Sequence, residues 1–191
     1  MSLKQVWQLY PMQVETREAP VTLRRATALD APAVLAFARA LPEHELLFLR
    51  RDITDPAQVD AWLGDAALIT LLATRDGEVC GYLVVDPSQV RWSRHVAEVR
   101  VLLGPTVRGL GLGRRLMKEA FRIAGAMGIE KMVAQMTTDQ ASAINVFQNY
   151  GFENEAILQR HVKDRDGATY DLLVMRRWVD ASETDILLEQ P

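Results

Sequence analysis

Apolar residues recur along the chain at two spacings, and the switches between them mark out the elements. Val21 to Ala26 alternates apolar and polar positions, which predicts a first strand. Val34, Leu35, Ala38 and Leu41 then follow helical spacing; Asp30 is placed to cap that helix, Pro32 sits in its first turn, and Pro42 ends it. A second helix opens at Asp55-Pro56, carries Val59, Trp62 and Leu63, and stops at Gly64. Leu68–Thr74 and Glu78–Asp86 are apolar runs joined at Asp76-Gly77, the signature of a tight hairpin. After a polar loop, Arg91 to His95, comes a central strand. It has Ala97, Val99, Val101 and Leu103 on one face and Val96, Glu98, Arg100 and Leu102 on the other.

Leu112, Leu116, Ala120, Ile123, Ala124 and Met127 form the buried stripe of a long helix, with Arg115, Lys118, Glu119 and Arg122 expected in water. Gly128 stops it. Lys131 to Thr137 is a fifth strand, and Asp139 caps a helix carrying Ala143, Ile144, Phe147 and Tyr150. Ala156–Val162 and Thr169–Met175 make a last hairpin around Asp166-Gly167. Residues 1–20 read as an N-terminal extension holding a short strand or extended arm, 21–177 as one domain, and 178–191 as a C-terminal tail. Trp7, Tyr10 and the apolar Ile186-Leu187-Leu188 of that tail are candidates for a homodimer contact.

Composition narrows the class. A 49% hydrophobic content over 191 residues supports a folded core. The net charge of −3 argues against a sequence-independent nucleic-acid binder. No apolar run reaches membrane-spanning length, and no secretory signal pattern opens the chain. One cysteine, Cys80, allows no internal disulfide and sits in an apolar run, so it reads as a buried thiol of a cytoplasmic protein. His44, His95 and His161 lack metal-ligand spacing.

The chemistry concentrates after the central strand, in Arg108-Gly109-Leu110-Gly111-Leu112-Gly113. Glycines at every second position let the backbone approach a ligand. Their N–H groups, and those of the helix that starts at once, can converge on an anion. Arg114, Arg115 and Lys118 add positive charge, so the loop suits a phosphate group. It fails the dinucleotide fingerprint, because Arg114 or Leu116 falls at the last glycine. It fails the P-loop, because Arg114-Arg115 follows Gly113.

The loop does fit [Q/R]-x-x-G-x-[G/A] at Arg108, Gly111 and Gly113. Val101-Leu102-Leu103 precedes it, Pro105 lies three residues before Arg108, and Gly151-Phe152 follows the next helix. In this it resembles the GCN5-related N-acetyltransferase (GNAT) family over roughly Val21 to Arg177. The resemblance implies an α/β (α+β) fold: a mixed, mostly antiparallel central sheet with helices on both faces, whose strands 4 and 5 run parallel and splay apart. It implies acetyl-CoA as co-substrate, no metal, and an amine acceptor. The pantetheine arm would pair with the backbone of Val101, Leu102 and Leu103. An N–H near Leu102 or Leu103 would polarise the thioester. The pyrophosphate would meet Arg108, Gly109, Leu110, Gly111, Leu112, Gly113 and Arg114.

The sequence also departs from the family. The usual tyrosine acid falls on Phe147, the usual cofactor-contacting asparagine on Gln140, and the strand-5 carboxylate of ribosomal-protein acetyltransferases on Gln135. Tyr150, nearly one turn beyond Phe147, is a second place to look for the acid. The central strand AEVRVLL and the loop are similar to those of Pat-type protein-lysine acetyltransferases, whose glutamate is a general base. That position is Glu98, with an ion pair to Arg100 as the structural alternative. On the acceptor side, Glu43, Glu45, Asp52 and Asp55 can attract a cationic amine, whereas Arg91 and Arg94 can hold an acidic one. His161, Tyr170 and Asp171 of the last hairpin border the site in this fold. The missing acid also admits a second function, an acyl-CoA sensor that has lost turnover.

Overall fold

The computed structural model describes residues 1–47 and 49–179. Eight strands form one sheet: β1 (Met12–Val14), β2 (Val21–Arg25), β3 (Ile69–Arg75), β4 (Glu78–Pro87), β5 (Val96–Leu103), β6 (Lys131–Thr137), β7 (Glu153–Lys163) and β8 (Thr169–Trp178). They lie in the order β1-β2-β3-β4-β5-β6-β8-β7. Every pairing is antiparallel except β5 with β6. That pair is parallel because helix α5 (Leu112–Ala126) carries the chain back over the sheet between them, as any parallel pair requires.

Helices cover both faces. Helix α1 (Leu3–Trp7), α5 and α6 (Ala141–Asn149) pack on a cluster containing Leu83, Val99, Leu116 and Met175. Helices α2 (Ala31–Arg39) and α4 (Pro56–Gly64), with the short α3 (Glu43–Leu46) between them, lie over a second cluster of Phe37, Trp62, Leu72 and Tyr82. β5 serves both, odd residues on the α5 side and Leu102 on the α4 side, as its alternation predicts. Asp76 and Gly77 take positive φ of 53° and 86°, as the hairpin requires.

Three local expectations are corrected. Asp30 stands at the N-cap of α2, as expected, but its side chain makes no cap bond; the carboxylate takes both Nη groups of Arg24, at 2.9 and 2.6 Å, and the Thr27 N–H. A buried carboxylate gains more from a bidentate guanidinium than from a neutral helix amide. Asp139 makes no cap either, since Gln140 occupies that position. Lys118 and Glu119 do not face water: they are 8% and 0% exposed. The N-terminal segment covers that side of α5, and Tyr10 donates to Glu119 Oε2 at 2.5 Å, while Arg115 and Arg122 flank the same carboxylate at 3.4 and 3.2 Å. Trp7 stacks under Arg25 at 4.8 Å and beside Tyr10, so both aromatic candidates for a dimer contact are engaged within the chain. Ile186-Leu187-Leu188 lies outside the described residues. Cys80 is buried, donates to the Ala73 carbonyl at 3.3 Å, and has its thiol pKa pushed up by burial.

Candidate active site

The β5–β6 ladder covers only Val96–Glu98 against Lys131–Val133. Farther along, residues 99–102 of β5 and 134–136 of β6 line a cavity of about 110 Å³, together with Glu45, Tyr82, Gln140 and Phe147. The direction of the β5 peptide groups follows from its ends. The His95 carbonyl accepts from Lys131 N–H on the β6 side, and Gly104 N–H donates to the Cys80 carbonyl on the β4 side. Peptide groups alternate along a strand, so those of Val99, Val101 and Leu103 point toward β6 past the end of the ladder. Leu102 contributes its side chain to the cavity, but its own N–H and C=O are turned to β4. Of the two residues proposed to polarise a thioester, Leu103 has the right orientation and Leu102 does not.

At the far end of β5, a single 3₁₀ turn, Pro105–Val107, leads into the glycine loop. Gly109 and Gly111 hold φ of 73° and 92°, values that disfavour a side chain. The N–H groups of residues 109 to 114 find no hydrogen-bond acceptor among the described residues; the first loop bond is Arg115 N–H to the Gly111 carbonyl, at 3.2 Å. The loop carbonyls are held from behind, where Arg17 donates its N–H to Leu110 and its Nη1 to Gly109, at 3.1 and 3.3 Å. Nothing in the sequence pointed to Arg17, because the contact spans more than ninety residues. Six backbone donors without a protein acceptor thus lie at the start of α5, where free N–H groups and the helix's positive end favour an anion.

Nearby cations are unevenly placed. Arg115 is drawn to Glu119 and Met12. Lys118, one turn after Arg114, has its pKa lowered, first by burial and then by Arg115 and Arg114, so a phosphate there would relieve it. Arg108 turns away from the loop. It donates Nε and Nη2 to the Leu103 carbonyl, at 3.0 and 2.7 Å, and grips Glu45 of α3 with both Nη groups.

Glu98 is not among the cavity-lining residues, but its neighbour Arg100 is. Its Oε2 takes Arg50 Nη1 at 2.9 Å and its Oε1 meets Arg100 Nη2, so the ion pair weighed from sequence is present. Asp86, its partner across the ladder, contacts Arg50 and Arg51 at 3.5 and 3.6 Å. Carboxylates have about four acceptor sites, so these ion pairs do not exhaust the acceptor capacity of Glu98.

Phe147 lines the cavity and packs edge-on against Phe152 at 5.0 Å. Gln140 accepts the Thr137 N–H through Oε1 at 3.1 Å, leaving its amide NH₂ free to donate. Gln135 reaches the cavity from β6. Tyr150 donates its hydroxyl to the Arg114 carbonyl at 2.8 Å, which removes it as a cavity acid and makes it a brace between α5 and α6. The acidic residues expected to draw in a cation are engaged: Glu43 with Arg165, Glu45 with Arg108, Asp52 with Thr54, and Asp55 as the cap of α4. Arg91, Arg94, His161, Tyr170 and Asp171 are absent from the lining; Asp171 instead accepts the Arg160 N–H, and Tyr170 donates to Asp164.

A family model described as the acetyltransferase (GNAT) family matches residues 34–152. A Bacillus subtilis protein named putative phosphinothricin acetyltransferase YwnH is 24% identical over 82% of this chain and 98% of its own. An L-methionine sulfoximine/L-methionine sulfone acetyltransferase of Pseudomonas aeruginosa is 26% identical over 85% of this chain and 97% of its own. The Sinorhizobium meliloti phosphinothricin acetyltransferase, solved with acetyl-CoA, superposes with a TM-score of 0.70 at 24% identity, covering 83% of this chain and 88% of that one.

Proposed function

The chain belongs to the acetyltransferase (GNAT) family, and on that footing we propose how its loop and cavity carry out acetyl transfer. The protein is an acetyl-CoA-dependent N-acetyltransferase acting on an amine. The observation that carries the site assignment is the run of unpartnered amides from Gly109 to Arg114. These hold the coenzyme's diphosphate, with Arg114 and Lys118 adding charge. The outward peptide group of Val101 and the N–H of Leu103, whose carbonyl is held by Arg108, pair with the pantetheine amides across the cavity. This sets the thioester beside β5, where an N–H that points into the cavity can donate to its oxygen as charge develops. Gln140 and Phe147 border the arm from α6.

The acceptor must offer a neutral nitrogen, and a lysine-type ammonium has a pKa near 10.4. Glu98 accepts that proton through a water, because its carboxylate stands next to the cavity rather than in it. The amine lone pair then forms the C–N bond and the C–S bond breaks; the nitrogen gives up its second proton to solvent, and the departing sulfur takes one from solvent in place of the absent tyrosine. With no such acid, most of the acceleration comes from positioning two bound reactants. The single buried thiol fits a reducing, cytoplasmic setting.

Titration calorimetry with coenzyme A and acetyl-CoA, joined to a free-thiol assay over a panel of amines, tests this. Binding of both, with thiol release that requires an acceptor, is the expected result. No heat with either ligand sinks the loop assignment, and binding without release under any acceptor marks a coenzyme sensor instead.

A further inference from the structure

The α4-side face of the cavity carries polar groups that acetyl transfer alone does not call for. Tyr82 of β4 lies across from Leu102 and is only 4% exposed, its ring held edge-on by Trp62 at 5.0 Å and Phe37 at 6.4 Å. It lines the cavity, and among the described residues its hydroxyl has no hydrogen-bond partner. A hydroxyl at a cavity wall with no protein partner is free to donate to a ligand. Arg100 lines the same cavity. One Nη reaches Glu98, while its Nε is buried without an acceptor. Around these two, among the described residues, the three guanidiniums of Arg50, Arg51 and Arg100 pair with two carboxylates, Asp86 and Glu98, leaving one positive charge in excess in that cluster. Of the other acids on this side, Glu43 and Glu45 pair with Arg165 and Arg108, and Asp52 also interacts with Arg165.

We propose that Tyr82 and Arg100 form an anion subsite that binds a carboxylate on the acceptor, making the substrate a small amino acid rather than a polyamine or a protein lysine. This rests on the acetyl-transfer reading above. A phenol donor beside a guanidinium suits an acceptor-only group such as a carboxylate. Glu98 stands two residues from Arg100 on the same strand face, so the acid–base pair of the protein complements the amine and carboxylate of one compact molecule. A dication would meet the surplus positive charge instead. The sequence hid this subsite because Tyr82 sits in an apolar run that reads as plain core.

The test is thiol release from acetyl-CoA with each common L-amino acid, its carboxamide and its decarboxylated amine, in the wild type and in Tyr82→Phe, Arg100→Gln and Arg100→Lys. The wild type should favour the free acid over the amide and the amine, and the preference should lie in acceptor KM. Tyr82→Phe should cut that preference roughly tenfold, as expected for losing one hydrogen bond to a charged group. Arg100→Gln should cut it further, and Arg100→Lys, which keeps the charge but loses the fork, should fall between wild type and Arg100→Gln. The KM for acetyl-CoA should stay at the wild-type value throughout. Equal kcat/KM for acid and amide, or a preference untouched by Tyr82→Phe and both Arg100 variants, overturns the subsite and leaves acetyl transfer standing. No release with any acceptor overturns acetyl transfer itself, and the subsite with it.

Discussion

Gly111→Ala isolates the glycine loop as the coenzyme anchor. Gly111 sits at φ 92° with no protein atom within 4 Å of where a Cβ would be built, so alanine introduces no clash in the free protein. There its effect is conformational, about 1–2 kcal/mol for an L-residue forced into the left-handed region. That cost has two places to appear. If the loop keeps its shape, the free protein carries the strain, and Tm falls by roughly 2–8 °C at this chain length. If the loop relaxes, stability is spared, and coenzyme binding must restore the strained shape, weakening Kd about 5- to 30-fold. The two losses, expressed as free energies, should sum to the same total. Differential scanning fluorimetry and calorimetric titration with coenzyme A measure both on one sample. Gly113→Ala is the control: its φ is not positive and the nearest neighbour of a new Cβ is the flexible end of Leu103, at 3.3 Å. That change should leave Kd near the wild-type value. A Gly111→Ala protein with unchanged Tm and unchanged Kd would refute the claim that the loop's backbone shape holds the diphosphate.

Glu98→Gln should lower kcat by about 10²–10⁴ while coenzyme affinity holds, read by steady-state thiol release and calorimetry; undiminished turnover removes Glu98 from the reaction. Tyr10→Phe deletes the hydroxyl that donates to the fully buried Glu119. The loss of about 1.5–3 kcal/mol should appear as a Tm drop of roughly 3–12 °C in a thermal melt. Arg24→Gln tests the sign of a pH effect. The Arg24 hydrogen bond is the largest cause holding Asp30 below its ordinary carboxyl range. A depressed folded pKa stabilises fully above the unfolded value, near 3.9, and that contribution is lost as pH falls through the folded value. The stability gap between wild type and Arg24→Gln in urea titrations should therefore be widest above about pH 5 and shrink below about pH 4; a gap that widens in acid contradicts the pairing.

Local sequence by itself determined the strand–loop–helix unit from Val96 to Ala126. Its apolar alternation, its glycines at the positive-φ positions and the stripe of α5 are all properties of neighbouring residues, and they specify the order strand, loop, helix. The same short-range logic placed the Asp76-Gly77 hairpin and the helix after Asp55. Only the tertiary structure decided what each polar side chain meets. Glu119 read as a solvent-facing helix residue until Tyr10, more than a hundred positions away, closed over it. Glu98 acquired Arg50 from the connection between α3 and α4, Arg17 came to brace the glycine loop, and Tyr82 turned from a core position into a cavity wall. Periodicity records which face of an element is apolar. It carries no record of which distant element that face, or a lone charge beside it, will touch, because that pairing is fixed by strand order and by the layers packed on either side.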